Sequence, residues 1–158
     1  MIEVPGKFAD LYAAEYPRLS RSLRAIDEDA ADAVQEAFVQ ALLRWRRVGE
    51  LEDPVGWVRR VAVHRLLNVR RSRARAAAAT ARMVAGTTGA RSEDRVDVLR
   101  AVRRLPRQQR VAVALYYGAD LSVGQVSDAM GIATGTVKAH LHAARDALRE
   151  LLGESIDE

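Results

Sequence analysis

The sequence predicts an all-α protein of two small helical domains joined by a flexible linker, the C-terminal domain containing a helix-turn-helix. Three observations carry this expectation. Hydrophobic residues make up 49% of the chain, aromatics only 5%, and prolines number four; with Ala, Arg, Leu and Val abundant, that balance favours helix over sheet. Apolar positions recur at helical spacing through most of the chain, and no convincing alternating strand interrupts them. From Ala76 to Asp94 this patterning gives way to Ala, Thr, Gly and Arg. At 158 residues the length suits one domain or two small ones.

The elements follow in order. Phe8, Leu11, Tyr12, Leu19 and Leu23 outline a first amphipathic helix, which Pro17 is expected to bend or break. Asp27-Glu28-Asp29 reads as a turn feeding the next helix N-terminus, where negative charge is favoured. Val34, Phe38, Ala41, Leu42 and Trp45 form the inward stripe of that second helix, and Gly49 closes it. Asp53-Pro54 sets an N-cap and a first helical residue for a third helix through Val58, Val61, Ala62, Leu66 and Val69. These helices make a domain over 1–75, and 76–94 is the linker, with Gly86-Thr87-Thr88-Gly89 its most flexible part.

The second domain, 95–153, begins with Val98, Leu99, Val102 and Leu105. Pro106 opens a helix through Val111, Leu115 and Tyr116 that Gly118 ends. Ser122 then caps a short helix carrying Val123, Val126 and Met130, and Gly131 stands where a C′ glycine would end it. Thr134 is expected to cap a longer helix with Val137, Leu141, Ala144, Leu148 and Leu151 on one stripe. Its opposite face carries Gly135, Thr136, Lys138, Ala139, His142 and Arg145. Small hydrogen-bonding residues at the start of such a helix let it approach base edges in a major groove.

The charge distribution supports a polyanionic partner. The net charge is only +4, but no acidic residue stands between Asp53 and Glu93, an interval holding Arg59, Arg60, Arg65, Arg70, Arg71, Arg73, Arg75, Arg82 and Arg91. A solvated helix face ordinarily mixes signs so that acids and bases pair; a single-sign block is an electrostatic footprint for nucleic acid. The second helix adds Asp32, Gln35, Glu36 and Val39 on its outward faces. First-turn acids complement the helix dipole, which accounts for Asp32 and Glu36 taken singly but not for the glutamine.

Enzyme chemistry is not expected. The chain has no cysteine and three histidines, and His140 and His142 are two apart on a helix and share no face. No glycine-rich phosphate loop or nucleophile elbow is present, so neither a cofactor, a metal nor a small-molecule substrate is expected. The N-terminus lacks a secretory pattern, and no apolar run approaches a membrane span, which predicts a soluble, cytoplasmic protein that does not engage a membrane.

Four segments together resemble bacterial RNA polymerase sigma factors. Asp32-Ala33-Val34-Gln35-Glu36-Ala37-Phe38 is similar to their core-polymerase-binding signature, and Pro54 to Ala62 is similar to the start of their promoter-melting helix. Leu105-Pro106-Arg107-Gln108-Gln109-Arg110 resembles the lead-in to their C-terminal domain, and Leu121 to Arg145 resembles their −35 recognition motif. Order and spacing point to the extracytoplasmic-function (ECF) type of the sigma-70 family, the short form with regions 2 and 4.

The resemblance implies that Asp32, Gln35, Glu36 and Val39 meet the β′ clamp helices of core RNA polymerase, with the β flap a further contact. It implies that Trp57, Arg59, Arg60, His64, Asn68, Arg70 and Arg71 hold the −10 element of promoter DNA as it opens. The loop between Gly49 and Asp53 would receive an extruded base. Thr134, Thr136, Lys138, His142 and Arg145 would contact the −35 duplex, and an anti-sigma factor is a candidate partner. Some positions depart from the family pattern: His64 stands where Asn is common, Asn68 where Asp is, His140 and Ala143 where Arg is, and Gln125 where Glu is. The recognition helix is therefore less positive, with −35 binding less secure. The alternative is a helix-turn-helix transcription regulator with a helical dimerisation domain, which predicts unaided binding to a palindromic site. An adaptor using the same fold for protein contacts predicts no salt-dependent nucleic-acid binding.

Overall fold

The computed structural model describes residues 4–25, 27–68 and 93–153, with side chains from 97 onward in the last segment. Among these residues the chain is helical, without strands: α1 (Gly6–Arg24), α2 (Ala30–Leu43), α3 (Trp45–Val48), α4 (Pro54–Asn68), α5 (Glu93–Arg103), α6 (Arg107–Val113), α7 (Val123–Met130) and α8 (Thr134–Leu152). A π-helical turn, Ala114–Gly118, follows α6 directly. The linker expectation, and the continuation of α4 beyond Asn68, fall mostly outside the described residues.

The N-terminal half packs α2 against both α1 and α4. Leu23, Val34, Ala37, Phe38, Val58, Ala62 and Leu66 are buried at this junction. Phe8 stands edge-on to Trp45 at 5.4 Å and to Phe38 at 6.5 Å, so the aromatics of three helices meet in one cluster. Pro17 neither breaks nor divides α1, which runs through it. An interior proline costs roughly 3 kcal/mol, but Phe8 on one side and Leu19 and Leu23 on the other are anchored in the core. The short α3, absent from the sequence expectation, is a single turn that buries Val48.

In the C-terminal half, α8 packs across α5, α6 and α7, with Val137, Leu141, Ala144 and Leu148 buried. Leu151, expected on that stripe, is exposed near the end of α8. Ser122 forms a reciprocal capping box: its hydroxyl accepts from the Gln125 amide at 3.1 Å, and the Gln125 side chain accepts from the Ser122 amide at 2.9 Å. Gly131 closes α7 in the left-handed region at φ 69°. Thr134 is not the cap of α8; extended Ala133 holds that place, and Thr134 is the first helical residue. Alanine has no side-chain acceptor, so the first amides of α8 are not capped by a side chain.

The π-helical turn widens the chain so that the Ala119 amide donates to the Ala114 carbonyl at 2.9 Å. It carries Gly118 against α1, where an added Cβ would lie 3.1 Å from the Ser22 Cβ. Ser122→Ala is expected to cost about 1 kcal/mol. A urea denaturation series that moved the midpoint with an unchanged slope would register that loss.

Candidate polymerase and nucleic-acid interface

The first surface lies on α2. Because Val34 and Phe38 turn into the core, Asp32, Gln35 and Val39 are exposed and Glu36 is half-buried. Glu36 accepts from the Gln40 side-chain amide at 3.0 Å, and Arg44 donates to the Gln40 oxygen, forming a chain of contacts along the helix. Leu43, which sequence reasoning passed over, is 63% exposed one turn beyond Val39. Its signal was available in the i+4 spacing. The face thus joins carboxylates to bare aliphatic side chains.

The second surface is α4 and the loop leading into it. Asp53 accepts from the Gly56 amide at 2.9 Å, acting as the cap its position suggested. Gly56 must be small here, since an added Cβ would lie 2.3 Å from an Asp53 carboxylate oxygen. Trp57 is half-buried, while His64 and Asn68 are exposed and 2.9 Å apart through Nε2 and Nδ2. Arg59 is buried, 3.9 Å from Asp53, and its Nε has no partner. Arg60 is exposed and donates to the Asp128 carbonyl of α7 at 3.2 Å. Arg70 and Arg71 lie outside the described residues. The loop over 49–53 leaves Leu51 exposed and is backed by Trp45, whose ring lies 2.8 Å from where a Gly49 Cβ would stand.

The third surface is α8. Thr134, Gly135, Thr136, Lys138, Ala139 and His142 are exposed opposite the buried stripe. Arg145 is half-buried and donates to the Tyr117 hydroxyl at 3.0 Å, while His142 lies 3.4 Å from Asp146. Tyr117 enters this surface only because the π-helical turn aims it there, which no spacing in the sequence signals.

The two halves are not separate bodies in this arrangement: α7 packs against α4, and the π-helical turn against α1. Arg18 donates to the Ala119 carbonyl at 2.8 Å and Arg103 to the Ala25 carbonyl at 3.0 Å. Arg107 inserts between two buried carboxylates, at 2.8 and 3.1 Å from Asp27 and 2.7 Å from Asp29. The hydrogen bonds Arg107 donates to Asp27, outweighing burial, raise its pKa above the usual value. Arg110, 4.0 Å from Asp27, is shifted down by burial. The sequence placed Asp27 and Asp29 in a capping turn; nothing local connected them to Arg107.

Among the described residues no group of His, Cys, Asp or Glu is arranged to hold a metal, and no helix is long and apolar enough to cross a membrane. A family model of sigma-70 region 2 matches residues 11–76, and one of sigma-70 region 4 matches residues 95–158. ECF RNA polymerase sigma factor SigM of Mycobacterium tuberculosis is 34% identical over 142 residues, covering 86% of this chain and 70% of SigM. SigL of the same organism is 30% identical over 159 residues, covering 92% of this chain and 86% of its own length. The fold is similar to that of the sigma factor RpoE in co-crystals with the anti-sigma factor NepR from Bartonella quintana. There the TM-score is 0.73 and the identity 21%, over 96% of this chain and 99% of RpoE. CnrH in complex with the cytosolic domain of CnrY gives a TM-score of 0.64 at 22% identity, covering 94% and 88%. Both halves and their order thus agree with one family, and the chain belongs to it: a sigma-70 family protein of the ECF group, an RNA polymerase sigma factor that directs transcription initiation.

Proposed function

We propose that the three surfaces divide the work of initiation, with 1–75 gripping the polymerase and the −10 element, 76–94 acting as a tether, and 95–153 reading the −35 element. The observation that carries this reading is the bare N-terminal edge of α8. Thr134, Gly135, Thr136 and Lys138 stand clear of the protein while the opposite stripe is buried on α5, α6 and α7. That edge fits a major groove, and the uncapped first amides of α8 suit a phosphate oxygen. His142 and Arg145 extend the same face along the duplex.

On α2, Asp32, Gln35, Glu36, Val39 and Leu43 offer a basic, partly apolar partner such as the β′ clamp helices both charge complementarity and buried area. On α4, Trp57 supplies a stacking face, Arg60, His64 and Asn68 supply polar contacts, and Arg70 and Arg71 supply charge toward the −10 strand, whereas Arg59, expected there too, is buried beside Asp53 and serves to position the start of the helix. The C-terminal half would also contact the β flap. The protein works in the cytoplasm without catalysis of its own, and an anti-sigma factor, the kind of partner seen with RpoE, would control it.

Transcription with purified core enzyme over a promoter library tests the whole reading: start-site selectivity must depend on this protein. Unaided capture of a symmetric operator, without such selectivity, would sink it. Reversing both acids in the double variant Asp32→Lys and Glu36→Lys is expected to abolish co-purification with core enzyme while circular dichroism stays unchanged, because like charges facing each other at an interface cost several kcal/mol. Lys138→Ala is expected to weaken holoenzyme binding to −35 duplexes about equally across sequences. The slope of log affinity against log salt should fall by about one.

A further inference from the structure

We propose, resting on the reading of α8 as the −35 helix, that Tyr117 is a positioning residue for promoter recognition: its hydroxyl holds the Arg145 guanidinium toward the backbone of the −35 duplex. Arg145 Nη1 donates to the Tyr117 hydroxyl at 3.0 Å, between residues 28 apart in the chain. Both side chains belong to the C-terminal half. Tyr117 is 55% exposed and Arg145 half-buried, so the pair is open to a partner. Arg145 stands about 16 Å along the α8 axis from Thr134. A major groove is about 12 Å wide and 8.5 Å deep. With the N-terminal edge of α8 seated in it, Arg145 lies beyond the base edges and meets the phosphate ridge.

An unanchored arginine loses much of its rotamer freedom on binding, and a side chain already held in place loses less. The chemistry of the anchor decides what charge is left over. Asp146, the next residue on α8, lies 3.4 Å from His142 and 3.0 Å from Arg149. A carboxylate of that kind offsets the charge of the cation it holds. Among the described residues the Arg145 guanidinium instead bonds to a neutral phenol. The phenol accepts one N–H of the fork and leaves the other donors, with the whole positive charge, for a phosphate oxygen.

Tyr117 is itself held. In the π-helical turn the Ala119 amide donates to the Ala114 carbonyl at 2.9 Å, and the Leu121 amide donates to the Leu115 carbonyl at 3.1 Å. Leu115 and Leu121 are buried and fix the turn from both sides. The Tyr116 ring packs against the core and stands edge-on to the Tyr117 ring, with centroids 4.9 Å apart. That contact restricts the swing of the exposed phenol. Widened turns of this type recur at functional sites, where they re-aim a side chain.

Tyr117→Phe keeps the ring and its contact with Tyr116 and removes the hydroxyl. Holoenzyme assembled with this full-chain variant is expected to bind −35 duplexes roughly tenfold more weakly, the scale of a lost hydrogen bond to a charged group. The loss should be equal across −35 sequences, and the slope of log affinity against log salt should fall toward that of Arg145→Ala. In the Arg145→Ala background the same change is expected to cost less than about twofold, because the hydroxyl then has no guanidinium to hold. A comparable loss in both backgrounds, or no loss with Arg145 present, would overturn the proposal. A general weakening of the fold multiplies both backgrounds alike and leaves the salt slope unchanged, so that outcome overturns it too. If Lys138→Ala weakens binding and Tyr117→Phe does not, the role of Tyr117 falls and the reading of α8 stands. If Lys138→Ala and Arg145→Ala both leave binding untouched, the reading of α8 fails and takes the proposal with it.

Discussion

The guanidinium of Arg107 between the carboxylates of Asp27 and Asp29 is the contact on which the arrangement of the molecule turns. Each half carries a buried apolar stripe on its helices, and the two stripes meet in one hydrophobic cluster. Their mutual placement joins this ionic contact to a hydrophobic cluster continuous across both halves, and Arg107 compensates the buried carboxylates of Asp27 and Asp29. Buried pairs of this kind contribute modest net stability, since desolvation offsets attraction, but removing one partner is costly.

Around it, each long helix is divided between two duties. The buried side of α2 holds the N-terminal core through Val34 and Phe38, leaving its acids and Val39 outside. Likewise α4 buries Val58, Ala62 and Leu66 and turns Arg60, His64 and Asn68 outward. In α8 the stripe from Val137 to Leu148 is seated on the domain, which fixes the direction in which Thr134, Thr136 and Lys138 project. Surfaces carried on packed helices are held more precisely than surfaces on loops.

The helical faces were legible because burial repeats with the period of the helix. The Asp53 and Ser122 caps and Gly131 were legible because caps are chemical signatures a few residues long. Thr134 misled because its hydroxyl is a good capping group, yet Ala133 adopts the extended geometry of the N-cap. Pro17 does not break α1, because flanking core contacts offset the local penalty. The placement of Arg59 was not legible: arginine at an acid-free surface suggests exposure, whereas its side chain is buried near Asp53.

The order of helices, the inward stripes, the arginine block and the bare edge of the last helix were determined by the sequence alone, since each depends on residues within a few turns of one another. Tertiary structure decided the rest. It matched Arg107 with carboxylates about eighty positions away, widened the turn at Ala114–Gly118 to bring Tyr117 to Arg145, and laid α7 over α4. The reason is physical: periodicity and capping act along the chain, whereas burying a charge asks only for a counter-charge in reach, and many arginines in this sequence could have answered.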